Sequence, residues 1–336
     1  MPSSDAAEAR PSLHAFWLRL ALFAFGLALG WFGLERGMSR LSQSYSFKHQ
    51  GLHAQAATID TLILGSSETY YGISPHLLAG TAYNLANWSQ SLYFDHELMK
   101  QELPGLPKLE RVIVLVNYMS LYTELYDHPE SWRQFEYYRE WGIPLQQPVD
   151  YLNLRLWSSV ALYSPHAAIE ALTHGFRDRP SRIDDRGWYR VPDEDRWGVD
   201  ERQAARRLAV HHGFMHEKYF AGNVRELEAL LTLMSKHHVE VVLLTTPVWR
   251  TYRAGIRQAD WQRARAVFVS LAEKYGARYL DFQTEPRLTA DDFEDPDHLN
   301  AVGAAHFTKL LDAVLGPPGT ADAQAPVRGS TARLGG

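Results

Sequence analysis

Residues 58–69 read TIDTLILGSSET, a short run rich in Ile and Leu that ends in a glycine, two serines and a glutamate. Residues 111–116 (RVIVLV) and 239–245 (VEVVLLT) are continuous apolar runs, which is the pattern of parallel strands buried on both faces. Two further runs, 82–85 (AYNL) and 277–281 (ARYLD), complete a set of predicted strands.

Helical patterns separate some of these runs. Residues 224–237 and 261–275 carry apolar side chains at helical spacing, and they precede the fourth and fifth runs. Alternating strands and helices predict an α/β fold with a doubly wound, five-stranded parallel sheet. We expect the flavodoxin-like strand order 2-1-3-4-5. Residues 117–238 are far more than a crossover needs, so we predict a large, mostly helical insertion at about 126–223 that caps the sheet.

Composition excludes several classes of protein. The chain has 336 residues, a net charge of −5 and no cysteine. The absence of basic excess argues against nucleic-acid binding, and the absence of cysteine excludes disulfide frameworks, thiolate metal sites and cysteine nucleophiles. No glycine-rich phosphate loop occurs, so we expect no cofactor. His212 and His216 are one helical turn apart beside His211, but no third ligand has convincing spacing, and we predict no metal site.

An apolar segment lies near the start of the chain. Residues 15–34 (AFWLRLALFAFGLALGWFGL) are apolar except for Arg19, which can snorkel to the interface of a bilayer. We interpret them as an uncleaved, single-pass transmembrane signal anchor after a short tail at 1–14; a buried core helix and a cleaved signal peptide are the alternatives. Residues 35–57 are predicted to form a stalk and residues 316–336 a disordered tail.

Polar residues follow the predicted strands where the chain leaves the sheet. They are Gly65–Thr69 after the first, Asn84–Gln90 after the second, Asn117–Ser120 after the third and Asp292–Asn300 after the fifth. Because ligands of an open α/β sheet bind beyond the carboxyl ends of its strands, we expect these groups to converge. They provide a serine nucleophile, a histidine base, an orienting carboxylate and oxyanion donors.

The order and spacing of these blocks resemble the SGNH/GDSL hydrolase superfamily. In that superfamily a Gly-Asp-Ser block follows the first strand, and an Asp-x-x-His block lies near the C-terminus. The stretches LILGSSETYYGISP and YNLANWSQS are more similar to its membrane-anchored branch, which includes the alginate O-acetylation proteins and the teichoic acid D-alanyl-transfer protein. The resemblance covers about residues 58–125 and 225–315. It departs from the family at Ser66, which replaces the usual aspartate, and at Ser89 or Ala86, which replaces a glycine.

The resemblance and the residues together predict a catalytic triad. Ser67 is the expected nucleophile, with Ser66 as the alternative. His298 is the expected base and Asp295 its orienting carboxylate, with Asp297 as the competing orienter. Oxyanion or substrate-binding roles are expected for four polar residues, Asn84, Asn87, Ser89 and Asn117. Asn84 and Asn87 have the alternative of satisfying loop backbone groups.

The resemblance implies an acyl-transfer function. It predicts a serine acyltransferase or esterase acting on O-acyl groups, acetyl above all, of a cell-surface or exported polysaccharide. A membrane-bound O-acyltransferase that supplies acyl groups is the expected partner, and the catalytic domain at 58–315 should lie on the periplasmic side of the inner membrane. Tyr118 and Tyr122 form a candidate sugar platform roofing the site, or alternatively helix core. The alternative function is a non-catalytic scaffold or glycan-binding subunit of an exopolysaccharide modification complex.

Overall fold

The computed structural model describes residues 13–39, 43–163, 169, 173, 182–191 and 196–319. These residues belong to two compact units, one drawn from residues 1–42 and 149–179 and the other from residues 43–148 and 180–336. Residues 1–12 of the predicted N-terminal tail and residues 320–336 of the predicted disordered tail lie outside the described residues. Parts of the predicted insertion, residues 164–168, 170–172, 174–181 and 192–195, also lie outside them.

A five-stranded parallel sheet organises the second unit. Its strands are β1 Thr61–Leu64, β2 Ala82–Asn84, β3 Arg111–Leu115, β4 Glu240–Thr245 and β5 Arg278–Asp281. They lie in the order β2-β1-β3-β4-β5, and every neighbouring pair is parallel. The predicted order is therefore confirmed. A separate antiparallel pair, which the sequence did not predict, joins β6 Phe293–Asp295 to β7 His298–Leu299.

Helices cover both faces of the sheet. The described α-helices are α1 Leu13–Met38, α2 Gln43–Gln55, α3 Ser67–Gly72, α4 Leu92–Glu102, α5 Gln134–Trp141, α6 Leu154–Trp157, α7 Ser159–Leu162, α8 Glu201–Phe214, α9 Phe220–Lys236, α10 Arg250–Gly255, α11 Gln258–Tyr275 and α12 Ala301–Leu315. Short 3₁₀ turns occupy Pro75–Leu77, Leu103–Gly105, Leu125–Asp127, Ser131–Arg133, Pro148–Leu152, Glu217–Tyr219 and Ala290–Asp292.

The core lies on the two faces of this sheet. Successive strand side chains point to opposite faces, so Val112 and Val114 join the apolar cluster that includes α4, α9 and α11. Ile113 points the other way, into the cluster that includes Phe307 and Leu311 of α12. Burial on both faces explains why the strand sequences are continuously apolar rather than alternating.

Among the described residues, one helix of the first unit is long and apolar enough to span a membrane. This helix, α1, extends over Leu13–Met38, slightly beyond the predicted segment 15–34. None of the residues in its most apolar stretch is buried. At its C-terminal end, Glu35 accepts hydrogen bonds from Ser158 Oγ at 2.8 Å and from the backbone N–H of Val160 at 3.3 Å. The carboxylate thus satisfies donors at the start of α7.

The predicted stalk is wrong for residues 43–55. They form α2, and three of its side chains, Tyr45, Lys48 and Leu52, are fully or almost fully buried in the second unit. The segment looked unpatterned because its buried face contains a lysine and a tyrosine among polar residues. Lys48 is accommodated because its ammonium donates to the carbonyl of Ala86 and lies 3.6 Å from the centre of the Tyr70 ring. Burial lowers the pKa of Lys48 well below its ordinary value.

The start of the predicted disordered tail is held by a buried arginine. Arg111, at the beginning of β3, donates to the carbonyl oxygens of Gly316 at 2.9 Å and Pro317 at 3.3 Å. The same guanidinium pairs with Glu240 at 2.7 Å. These contacts satisfy the carbonyl groups that follow the end of α12.

Candidate active site

The turn after β1 places two serines at the edge of the sheet. Gly65 has a φ of +116°, and a Cβ atom there would lie 2.3 Å from the Cβ of Leu115, so only glycine fits. Its backbone N–H donates to Asp95 Oδ1 at 3.0 Å. Burial raises the pKa of Asp95 to about 7, against the opposing hydrogen bonds from Gln90 and Gly65. Asp95 therefore holds the turn through the backbone N–H of Gly65. Nothing in the sequence pattern indicated this role.

Ser67, His298 and Asp295 are brought together at this edge. His298 Nε2 lies 2.7 Å from Ser67 Oγ, which is hydrogen-bonding distance. On the other side of the ring, Nδ1 lies 3.0 Å from Asp295 Oδ2 and 3.1 Å from Oδ1. Ser67 is the first residue of α3, and His298 is only 5% exposed. This arrangement has the geometry of a serine–histidine–carboxylate triad.

A tight turn between β6 and β7 holds the carboxylate and the imidazole in register. Asp295 Oδ1 accepts the backbone N–H groups of Asp297 and His298, each at 2.9 Å. The helix that follows, α12, begins with Asn300 as its N-cap, whose side chain accepts from the N–H of Gly303 at 2.9 Å and donates to the carbonyl of Asp291 at 2.7 Å. The Asp-Pro-Asp-His segment is therefore anchored at both ends.

Asp297 is buried but pairs mainly with an arginine from the insertion. Arg207 Nε and Nη2 lie 2.8 Å and 2.6 Å from its two carboxylate oxygens, whereas His298 Nδ1 lies 3.6 Å away. Against its burial, the neighbouring His298 and Arg207 hold the pKa of Asp297 below its ordinary range. His211, one turn along α8 from Arg207, has its pKa lowered to about 3 by burial and remains neutral. Asp295, not Asp297, contacts the ring directly.

The charge balance sets the protonation of the histidine. Burial alone lowers the pKa of His298, but the nearby carboxylates of Asp295 and Asp297 outweigh it and raise the pKa to about 9, while Arg207 opposes them. The imidazolium form is thus favoured at neutral pH. Loss of that proton is required before the ring can accept one from Ser67.

Ser66 has a different partner from Ser67. Its hydroxyl donates to Glu68 Oε2, and Glu68 Oε1 accepts from Asn117 Nδ2 at 2.7 Å. Asn117 Oδ1 in turn accepts the backbone N–H groups of Met119 and Ser120 at 2.9 Å and 3.0 Å. Ser66, Glu68 and Asn117 therefore form a polar network beside the triad, and all three line the cavity next to Ser67.

The loop after β2 contributes one of its three predicted residues to the cavity. Asn84 is fully buried, donates to the carbonyls of Thr69 and Ile73 at 3.0 Å and 3.2 Å, and accepts from the N–H of Ala86. Asn87 is also buried and bonds the backbone of its own loop. Asn84 fulfils the structural alternative, because both of its side-chain polar atoms bind nearby backbone groups. The Asn87 Oδ1 atom likewise accepts the backbone N–H of Trp88.

Ser89 does line the cavity. Its φ of +54° lies in the left-handed region that favours glycine, and Ser89 is one of the two positions, with Ala86, at which the resemblance expects a glycine. Its hydroxyl donates to Glu130 Oε2 at 2.5 Å, and Glu130 also pairs with Arg133 at 3.0 Å. Ser89 therefore adopts a backbone conformation that glycine favours, and its hydrogen bond to Glu130 of the insertion holds it there.

A cavity of about 570 Å³ opens beside the triad. Side chains of the insertion that line it include His128, Glu130, Arg133, Trp197, Arg207 and His211. The described part of the insertion in the second unit thus covers the site, as its exit from the end of β3 predicts. Its charged residues were not identifiable as site residues from sequence, because no local pattern relates Arg207 to a turn ninety residues later.

The predicted sugar platform is wrong. Tyr118 is 2% exposed and Tyr122 is 3% exposed, and both belong to the main apolar cluster. The Tyr118 hydroxyl lies 2.9 Å from that of Tyr252, which in turn contacts His211. An aromatic ring from another segment packs against His298 instead: Tyr71 lies 5.1 Å from its ring, and Trp88 Nε1 donates to the Tyr71 hydroxyl.

We expect Tyr122→Ala to act on stability rather than on glycan recognition. Truncating this buried ring leaves a cavity and should lower the free energy of unfolding by about 3–5 kcal/mol. Tyr122→Phe, which retains the ring, should keep most of the stability. Denaturant titration, together with activity per folded molecule, checks this expectation. A selective loss of acyl transfer to glycan in a fully stable Tyr122→Ala protein would contradict it.

Comparisons with known proteins place few limits on function. No family model matches the chain, and no curated protein matches it. Among solved structures it is similar to a protein from Streptococcus pneumoniae provisionally described as a platelet activating factor, with 12% sequence identity and a TM-score of 0.40. That likeness covers 88% of this chain and 99% of the other. At such values it does not decide function, which has to be argued from the residues of the site.

Proposed function

We propose that this chain is an SGNH-type serine acyltransferase or esterase that acts on O-acyl groups, acetyl above all, of an exported polysaccharide. The observation that carries the proposal is the Ser67–His298–Asp295 triad, with 2.7 Å from Ser67 Oγ to His298 Nε2 and 3.0 Å from Nδ1 to Asp295. The triad lies beside a cavity at the carboxyl ends of the strands of a parallel sheet, which is the usual location of the active site in an enzyme of this architecture.

The proposed reaction has two halves. In the first, neutral His298 takes the Ser67 proton as Oγ attacks the acyl carbonyl, and the imidazolium then gives that proton to the departing alcohol oxygen. In the second, His298 takes a proton from the acceptor hydroxyl as its oxygen attacks the acyl carbonyl. The bond between the acyl carbon and Ser67 Oγ then breaks, and the imidazolium returns the proton to Oγ. A sugar hydroxyl as acceptor gives transfer, and water gives hydrolysis. Asp295 holds the ring tautomer and stabilises the imidazolium in both halves.

Oxyanion stabilisation is available from groups on the cavity wall. As a first-turn residue of α3, Ser67 has a backbone N–H without an intrahelical partner. Ser89 and Asn117 also line the cavity, and Asn117 Nδ2 is oriented by its 2.7 Å contact with Glu68. We propose the Ser67 N–H and Asn117 Nδ2 as the oxyanion donors, each worth roughly 3 kcal/mol of transition-state stabilisation. Ser89, whose hydroxyl proton goes to Glu130, is proposed for substrate binding.

The lining of the cavity supports a carbohydrate acceptor. Tyr71, Trp88, Trp197 and Phe214 present aromatic rings there, and Trp197 is 62% exposed. Aromatic faces next to polar side chains suit sugar rings, which have apolar faces and hydroxyl rims. An acceptor held beside the acyl-serine competes with water through its higher effective concentration. We propose that these rings, instead of Tyr118 and Tyr122, form the sugar platform.

Membrane attachment through α1 is part of the proposal. The apolar side chains of α1 are exposed to solvent, which a soluble core helix would not allow. The same unit exposes further large apolar side chains between residues 149 and 157, namely Val149, Leu152, Leu154 and Trp157. An apolar surface of this kind suits the interface of a bilayer. We place the catalytic unit on the extracytoplasmic side, where an exported polysaccharide is accessible.

Labelling with a fluorophosphonate probe tests the proposal. A serine activated by its neighbouring histidine should react stoichiometrically, and peptide mapping should place the adduct on Ser67. Ser67→Ala and heat-denatured protein should not be labelled, whereas Ser66→Ala should be. Absence of labelling in folded wild-type protein would favour the non-catalytic scaffold. With labelling established, mass spectrometry of an acylated glycan separates transfer from hydrolysis.

A further inference from the structure

Three potential metal ligands meet outside the triad and the cavity beside it. His49 and His53 lie on α2, and Glu102 is the last residue of α4. His53 Nε2 is 2.9 Å from Glu102 Oε2, and His49 Nε2 is 3.9 Å from Glu102 Oε1. One ligand atom from each residue falls within 4.8 Å of the others, in a part of the chain with no role in the proposed reaction.

The helical spacing directs both imidazoles to the same side. Residues four apart on a helix are neighbours on one face, and the two rings lie 4.4 Å apart, edge to face. Trp141 of α5 packs 5.1 Å from the His49 ring and supports it. Glu102 is only 6% exposed, so its carboxylate has little water to solvate it and gains from a cationic partner. His53 remains accessible, which leaves an approach from solvent.

We infer that His49, His53 and Glu102 bind one divalent transition metal ion, with zinc the best fit. Two imidazoles and one carboxylate form a ligand set that zinc accepts in tetrahedral geometry, with water or another small ligand in the fourth position. The three ligand atoms lie within 4.8 Å of one another, and rotations of the side chains would bring them to zinc distances of roughly 2.0–2.2 Å. The inference goes beyond the proposed function and does not depend on it.

Such a metal would be structural. It would tie α2 to α4, and α2 is the helix whose Lys48 holds the carbonyl of Ala86 in the loop that leads to Ser89. The Tyr83 hydroxyl of β2 also donates to the carbonyl of Lys48 at 2.9 Å. Metal binding should therefore stabilise the packing of α2 against the sheet without taking part in acyl transfer.

The test is a zinc titration of the protein comprising residues 1–336, purified in detergent without a histidine tag. A chromophoric chelator competes with the protein for zinc and reports the affinity. Wild-type protein should bind one equivalent and gain about 5 °C in Tm. His53→Ala, His49→Ala and Glu102→Gln should each lose at least about tenfold in affinity, since even loss of a supporting group around a metal costs 10–100-fold. Cobalt should show the intense visible absorption of tetrahedral coordination in wild type alone.

His237→Ala is the matched control, because His237 is an exposed histidine directly after α9. It should bind zinc like wild type. Circular dichroism and the Tm of the metal-free proteins distinguish a lost ligand from a lost fold, and Glu102→Gln keeps the size of the side chain. Equal affinity in wild type and a His49→Ala/His53→Ala double variant would overturn the inference. Fluorophosphonate labelling of Ser67 in excess chelator reports separately on the proposed enzyme.

Discussion

Ser67→Ala should lower kcat/KM for a small acyl ester by about 10⁴-fold or more, since the covalent route is lost. His298→Ala should cost a similar factor, because it removes the base 2.7 Å from Ser67 Oγ. The two residues act as one unit, so the double variant should be little worse than either single variant. Steady-state kinetics on an activated acetyl ester, with Tm measured for each protein, checks this.

Ser66→Ala is the matched control for this prediction. Ser66 and Ser67 are adjacent and both half-buried, but the Ser66 hydroxyl donates to Glu68 rather than to His298. We expect Ser66→Ala to keep activity within about tenfold of wild type, the loss reflecting a disturbed Glu68–Asn117 contact worth roughly 1 kcal/mol. Strictly additive losses in the Ser67/His298 double variant, or an inactive Ser66→Ala protein beside an active Ser67→Ala protein, would refute the triad.

Asp295→Asn should have the second largest effect, a fall in kcat of about 10⁴-fold. The amide cannot replace the carboxylate as acceptor for the Nδ1–H of His298, and an amide donor would favour the wrong ring tautomer. The backbone turn should survive, because an asparagine Oδ1 can still accept the N–H groups of Asp297 and His298. Kinetics combined with an unchanged Tm distinguishes this effect from unfolding. A nearly active Asp295→Asn protein would show that another group orients the ring.

Asp297→Asn should instead move the pH profile. A raised pKa means that His298 keeps its proton to higher pH, so kcat/KM of the wild type should rise with pH towards about 9. Removing the carboxylate 3.6 Å from Nδ1 takes away one source of that rise. In Asp297→Asn the rise of kcat/KM should then occur about one pH unit lower. In Arg207→Gln, which removes an opposing positive charge, the rise should occur at higher pH. Shifts of both variants in the same direction would contradict this electrostatic account.

The sequence by itself determined the sheet, and it placed the candidate triad in two short segments while leaving Ser66 and Asp297 as alternatives to Ser67 and Asp295. Continuous apolar runs can be buried on both faces only within a covered parallel sheet, and that constraint is local enough to be read from short segments. The Asp-x-x-His spacing is also local, because one turn brings the Asp295 carboxylate to the ring of His298. The glycine after the first strand marked the turn that carries both serines, but only the structure shows that Ser67 contacts His298 while Ser66 contacts Glu68.

Only the tertiary structure decided which polar and aromatic residues face the cavity. Tyr118 and Tyr122 have the composition of either a platform or a core, and burial against Tyr252 and Phe220 makes them core. Asn84 is used by the carbonyls of a neighbouring helix. Arg207 reaches Asp297 across ninety residues of chain, as His49 and His53 reach Glu102 from a segment that looked like a stalk. Such pairings depend on how elements distant in the chain pack together, and no local periodicity encodes them.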